Sequence, residues 1–136
     1  MSDRLLGYCW PKWVRAGERT ELRVHATEPF TASIWRYGWT KQPVADLGLF
    51  ESFGPGGDRQ ILPDEDFAAT GCDWNWHGRP FGADERNVIT APDQPGLHYV
   101  HLESRSGAFF NFPLIVAPTA PTADVAVLAS TMDWNA

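Results

Sequence analysis

The sequence predicts a mainly β protein built from short antiparallel strands. Twelve glycines and eleven prolines in 136 residues indicate many turns. Between the turns lie short segments in which apolar and polar residues alternate, and this period of two is typical of strands with one buried face. Several such strands separated by turns favour an immunoglobulin-like antiparallel β-sandwich. We assign it to residues 1–116.

Alternation and turn residues place five strands, and the segment between residues 40 and 86 shows no strand pattern. The second strand is the clearest, with Leu22, Val24 and Ala26 predicted to point inward. The turn before it contains Gly17, which suits a positive φ. A long irregular segment in a compact domain is usually functional or covered by another element. The predicted strands span residues 5–8, 21–26, 31–37, 96–105 and 109–116.

A second domain is expected to begin after a short linker. Residues 117–124 are rich in proline, threonine and alanine, a composition typical of linkers. Residues 125–130 form a continuous apolar run, as in strands buried on both faces of a parallel sheet. We therefore expect residues 125–136 to be the first strand and active-site loop of an incomplete α/β domain. Another chain or a C-terminal segment would complete it.

The charge and the cysteines exclude several classes of function. A net charge of −6 disfavours nucleic acids and anionic membranes as partners. The first residues contain no sustained apolar run, so neither a signal peptide nor a membrane span is predicted, and a cytoplasmic location is expected. Cys9 and Cys72 lack the spacing of a zinc site and are expected to be reduced thiols.

One predicted strand carries a possible metal-binding pattern. Tyr99, His101 and Glu103 alternate along residues 97–103 and therefore share a face. A phenol, an imidazole and a carboxylate could bind a hard or borderline metal such as iron. The alternative is a solvated polar face opposite the core face that His98 and its alternating neighbours form.

Two other segments could contribute to a site. Ser130, Thr131 and Asp133 follow the apolar run, and ligands of open α/β sheets bind at the carboxyl ends of the strands. The same residues could instead cap the next helix. An aromatic loop at residues 71–78 could line a substrate pocket or pack on a partner domain.

Three colinear stretches together resemble one known family. Residues 6–9 and 14–18 resemble the start of its sequence, and residues 70–78 resemble a glycine-bounded Trp-Asn-Trp loop. Tyr99, residues 112–116 and residues 127–131 resemble its passage from a β-sandwich to a catalytic domain. The family is the large subunit of bacterial N,N-dimethylformamidase, and the similarity extends over most of the chain.

The resemblance implies an iron-dependent amide hydrolase. In that family a β-sandwich precedes a domain resembling class I glutamine amidotransferases, and two tyrosines and a glutamate hold one iron. Tyr99 aligns with one tyrosine ligand, while the other two ligands would follow Ala136, so the family does not support His101 or Glu103 as ligands. The implied chemistry is Lewis-acid hydrolysis of a small amide. The sequence also lacks room for the family's lectin-like insert, so the family does not specify substrate or assembly.

The resemblance and the residue patterns together define the expected site. The catalytic candidates are Asp133, Ser130 and Thr131, and Tyr99 is the metal candidate. The substrate-binding candidates are aromatic, imidazole and amide side chains: Trp74, Trp76, His77, Trp134 and Asn135.

The expected assembly is a heteromer or other oligomer. The partners are the chain or segment that completes the α/β domain and a small amide substrate. The end at Ala136 is expected to be a processing or subunit boundary, with a fortuitous proteolytic cut as the alternative. The competing function is a non-catalytic sandwich that positions a partner or recognises sugar through its tryptophans.

Overall fold

The computed structural model describes residues 5–26, 28–51 and 88–126. Regular structure in these residues consists entirely of strands, so the mainly β prediction is confirmed. The strands are β1 (Leu6–Trp10), β2 (Trp13–Arg15), β3 (Arg19–His25), β4 (Phe30–Arg36), β5 (Gln42–Phe50), β6 (Val88–Thr90), β7 (Gly96–Ser104) and β8 (Phe109–Ala117).

The strands form two sheets. The three-stranded sheet has the order β1-β3-β6, and the five-stranded sheet has the order β2-β8-β7-β4-β5. The short strand β2 runs parallel to β8, and the other neighbouring strands are antiparallel. Strand β7 is therefore the central strand of the larger sheet.

The two sheets bury their facing sides in one apolar core. Leu22 and Val24 of β3 are buried, as predicted, and Ala26 just after the strand is buried too. Across from them the larger sheet contributes residues from its three central strands, including Ile34, Val100, Leu102, Phe112 and Leu114. Alternation along β4, β7 and β8 therefore leaves the other side of the larger sheet facing away from the core.

Three strands were not predicted. The expectation of no strand between residues 40 and 86 is wrong for Gln42–Phe50, which forms β5. Its pairing with β4 shifts register twice, between Ala32 and Ser33 and between Ile34 and Trp35. Such irregularities interrupt the period of two. Strands β2 and β6 contain only three residues each, which is too short for alternation to be recognised.

The segment after β8 includes all of the expected linker except Ala117, which ends the strand, and the division into domains stays a prediction. Residues 118–126 are exposed and contain no strand. The strand predicted over residues 125–130 lies mostly outside the described residues and stays a prediction. No helix in the described part of the chain is long and apolar enough to cross a membrane.

The Glu28 carboxylate connects two segments that lie between strands. Glu28 Oε1 accepts hydrogen bonds from the backbone N–H of Ser106, at 3.1 Å, and from the Ser106 hydroxyl. These contacts connect the segment before β4 to the turn between β7 and β8. The hydrogen bond from the Ser106 hydroxyl is the main reason that the pKa of Glu28 is lowered.

Replacing Glu28 with glutamine is expected to lower the melting temperature in a pH-dependent manner. Because the folded pKa is below the unfolded value of about 4.3, the charged form stabilises the fold above that pH. This contribution is lost as the pH falls through the folded pKa. Melting curves from pH 7 to 2.5 should therefore show Glu28→Gln and wild type converging at low pH. Glu51→Gln, at an exposed position, serves as the control, and a constant difference at all pH values would contradict the assignment.

Candidate functional site

The outer face of the five-stranded sheet carries a continuous apolar surface. Strand register aligns its side chains in two adjacent rows, one running from β2 across β8 and β7 to the residue after β4, and the other from β8 across β7 and β4 to β5. Neither row contains a charged side chain. We call this surface the aromatic band; its residues are Trp13, Ile115, Leu97 and Tyr37 in one row, and Pro113, Tyr99, Trp35 and Pro43 in the other.

Several members of the aromatic band are well exposed. Trp13 is 54% exposed, Tyr37 is 45% exposed and Leu97 is 41% exposed. Contiguous apolar surface of this kind on a folded protein commonly marks an interaction or ligand-binding site. Tryptophan and tyrosine are also the residues enriched among energetically important interface contacts. The aromatic band is therefore the main candidate functional surface of the described residues.

Tyr99 lies in the middle of the aromatic band and is only 6% exposed. Its ring stacks against Trp35 with centroids 6.3 Å apart, and Tyr37 lies against it at 4.7 Å. The Trp35 indole is itself held, because its Nε1–H donates to Ser33 Oγ at 2.9 Å. Burial, and secondarily Tyr37, raises the pKa of Tyr99. In the described structure Tyr99 is thus a fixed, neutral phenol.

A shallow depression of about 230 Å³ lies on the same face. Its walls come from β7, β8 and the residue that follows β4. No lining residue carries a charge. The lining residues are Tyr37, Leu97, Tyr99, Asn111, Phe112 and Pro113.

A polar group borders the aromatic band. His101 Nδ1 lies 2.6 Å from Asn111 Oδ1 across the β7–β8 pair. His101 Nε2 lies 3.9 Å from Glu103 Oε2, and the imidazole also packs near Phe109 at 6.0 Å between ring centroids. Glu103 is mostly exposed, so this ion pair contributes little to stability. The imidazole and the Asn111 amide hold each other in a defined orientation.

The structure places the predicted residues of β7 as the alternation indicated. Tyr99, His101 and Glu103 lie on the outer face, and His98 lies on the core face. Among the described residues, no group of three or more histidine, cysteine, aspartate and glutamate side chains could hold a metal. The other predicted site residues lie outside the described ranges: Trp74, Trp76, His77, Ser130, Thr131, Asp133, Trp134 and Asn135.

Two buried side chains have no role in the outer face. His98 is fully buried, and its Nδ1–H donates to Gly96 O at 3.1 Å. Burial is the main cause of its lowered pKa, so His98 is a neutral core residue. Cys9 is a free thiol in the core, and burial raises its pKa far above the usual range. An un-ionised, inaccessible thiol is a poor nucleophile.

Most residues of the site were not predicted from the sequence, among them Trp35, Tyr37 and Asn111. Trp35 and Tyr37 were assigned to a strand without a functional role, and Asn111 was assigned to the returning strand of the hairpin. Asn111 could have been found, because a hairpin of residues 96–105 and 109–116 pairs it with His101. The contact of Trp35 and Tyr37 with Tyr99 depends on pairing across about 60 residues of sequence, which no local pattern encodes.

Comparison with known proteins gives no family assignment. No protein-family model matches the sequence, and no curated protein is significantly similar to it. A function must therefore be inferred from the residues and their arrangement.

Proposed function

We propose that the chain is the sandwich part of a larger amide-hydrolysing enzyme similar to N,N-dimethylformamidase. In this proposal the aromatic band faces the catalytic part of the enzyme. The supporting observation is Tyr99, the residue that aligns with a metal ligand of that family. It lies at the centre of the outer face and is held between Trp35 and Tyr37.

We also propose that the two sheets form a sandwich of the immunoglobulin type. The order β8-β7-β4-β5 corresponds to the G-F-C-C′ arrangement of that fold, and β1 and β3 correspond to A and B of the facing sheet. The apolar core shared by the two sheets supports this assignment.

Tyr99 would supply only one ligand to iron. The described residues contain no further ligand set, and one phenol does not hold an iron ion. The site would therefore need the second tyrosine and the glutamate that the resemblance places after Ala136. When bound, iron would supply Lewis-acid polarisation of the amide. Because burial raises the pKa of the Tyr99 phenol above its ordinary value, its ionisation near neutral pH would depend on a nearby cation.

The remainder of the proposed site lies outside the described residues. A second chain or a C-terminal segment would complete the α/β domain in a cytoplasmic heteromer. Ser130, Thr131 and Asp133 would act in the catalytic part. The pocket walls for a small amide would come from the remaining predicted residues: Trp74, Trp76, His77, Trp134 and Asn135.

The alternative function is a non-catalytic binding or interaction module. The exposure of Trp13, Leu97 and Tyr37 favours it, because an uncharged aromatic surface can bind a protein or a sugar without any metal. The two functions differ in one observable property. The enzyme requires the Tyr99 hydroxyl, whereas a module that binds through apolar contact requires only the ring.

Tyr99→Phe in the intact enzyme is the decisive substitution. We expect it to reduce bound iron and to lower amide turnover by more than about 100-fold, since loss of even a supporting contact to a metal ligand costs 10- to 100-fold. Iron per chain, measured by mass spectrometry, and turnover of small amides are the readouts. Tyr37→Phe keeps the neighbouring ring and should retain iron. Unchanged iron and turnover in Tyr99→Phe would rule out the ligand role and favour the binding module.

A further inference from the structure

The depression on the outer face combines apolar walls with a small number of polar groups. Leu97 and Pro113 are aliphatic, and the two phenols present ring surface as well as hydroxyl groups. The Tyr99 ring is covered on two sides by Trp35 and Tyr37. Asn111 is exposed and borders the depression, so its amide is available to a bound molecule.

The contact with His101 determines which end of the Asn111 amide is available. With its proton on Nδ1, His101 donates to Asn111 Oδ1 at 2.6 Å. One lone pair of the amide oxygen is thereby used, and the Nδ2–H₂ group on the other side of the amide is a donor. A fixed donor beside apolar walls is the usual arrangement by which a small-molecule site orients a polar ligand group.

The charges around the depression disfavour ionic ligands. None of its lining residues is charged, so an anion or a cation would lose hydration without gaining an opposite charge. The Glu103 carboxylate contacts His101 and is 59% exposed. It further disfavours an anion. A volume of about 230 Å³ is below the range of about 300–1,000 Å³ for drug-sized ligands, so the ligand is small.

We propose that Asn111 is the hydrogen-bond donor that anchors the carbonyl oxygen of a small neutral ligand in this depression. The apolar part of the ligand packs on Tyr37, Leu97 and Pro113, and His101 is a positioning residue that orients the Asn111 amide. The proposal deepens the proposed function and rests on it for the identification of the ligand with the amide substrate. Binding in the depression requires neither iron nor turnover.

Three probes of similar size test this specificity on the purified full chain. Benzamide is neutral and carries a carbonyl, benzoate is an anion and benzylammonium is a cation. Each is titrated while backbone amide shifts are followed by two-dimensional NMR at neutral pH. We expect benzamide to bind in the millimolar range, at least about fivefold more tightly than either ion, since loss of a paired polar contact weakens binding by about fivefold or more. The largest shifts should fall at Leu97 and Asn111.

Two substitutions at Asn111 separate hydrogen bonding from packing. Asn111→Leu removes the donor and should weaken benzamide binding about five- to tenfold. Asn111→Asp replaces the donor with a charged acceptor and should reverse the preference in favour of benzylammonium. Gln42→Leu changes an exposed amide on β5, outside the depression, and should leave all three affinities unchanged.

Equal affinities for benzamide and benzoate would overturn the proposal, as would an Asn111→Leu variant that binds benzamide like wild type. Reversed preference in Asn111→Asp would support it, because a merely structural asparagine would not exchange one ligand charge for another. These outcomes are independent of the Tyr99→Phe measurement. Absence of iron would contradict the enzyme without affecting probe binding, and absence of probe binding would leave the iron result intact.

Discussion

Replacing Leu102 with alanine is expected to lower the free energy of unfolding by about 2–5 kcal/mol. Leu102 is fully buried in the central strand of the larger sheet. Its strand partners are Ala32 on β4 and Phe110 on β8. A Cβ atom placed on Gly7 of the other sheet would lie 3.2 Å from Leu102 Cδ1. Truncation would therefore leave a cavity between the two sheets, where the strands on either side cannot easily close it.

Urea denaturation followed by far-ultraviolet circular dichroism measures this loss. Leu97→Ala is the matched control, because Leu97 lies on the same strand but on the outer face and is 41% exposed. We expect that control to cost less than about 1 kcal/mol, as partly exposed side chains lose little transfer free energy. Equal losses at the two positions would show that the core does not lie on the side of β7 that the structure assigns.

The parts of the fold that could be predicted from the sequence are the strands with one buried face. In β3, residues Leu22 and Val24 alternate with polar neighbours, and both are buried. On β7 the same alternation places Tyr99 on the outer face and Val100 on the core face. Together with the turn that follows, it identifies the hairpin between β7 and β8. Where burial differs between two faces, the alternation is a direct consequence of the fold.

The strands that were not predicted depend on pairing with residues that are distant in the sequence. Strand β2 is defined by parallel pairing of Trp13 with Ile115 on β8. Strand β5 contains Pro43, and Gly48 N–H donates to Asp46 Oδ1 at 2.9 Å. Proline and local side-chain hydrogen bonds of this kind are typical of turns and edge strands. A local pattern therefore favours a turn where pairing with β4 produces a strand.

The candidate site was predictable only in part for the same reason. The period of two placed Tyr99 on the face opposite the core. Its coverage by Trp35 follows from the β4–β7 register, and that register is set by the whole sheet. The sequence could thus indicate the phenol as a candidate ligand, whereas its burial and raised pKa required the assembled structure.

Gly7→Ala is expected to destabilise the protein by about 1–3 kcal/mol, the usual cost of adding a methyl group to a packed core. A Cβ atom on Gly7 would lie 2.7 Å from Phe112 Cε1 and 3.2 Å from Leu102 Cδ1. The Phe112 ring is 4% exposed and packs near Phe110, with centroids 6.3 Å apart. The ring cannot move aside without disturbing β8, so the absence of a side chain at Gly7 lets β1 approach the larger sheet.

A double-mutant cycle with Phe112→Leu distinguishes this overlap from other effects of alanine. Leucine lacks the ring atom that the new methyl group would meet, so Gly7→Ala should cost at least about 0.5 kcal/mol less in that background, the lower bound of coupling between residues in contact. Gly38→Ala is the control, because a Cβ atom there has no contact closer than 3.5 Å. It should be neutral or slightly stabilising, since alanine restricts the unfolded chain. If Gly7→Ala lowered the free energy of unfolding equally in both backgrounds, steric overlap with Phe112 would not explain why glycine is needed where the two sheets meet.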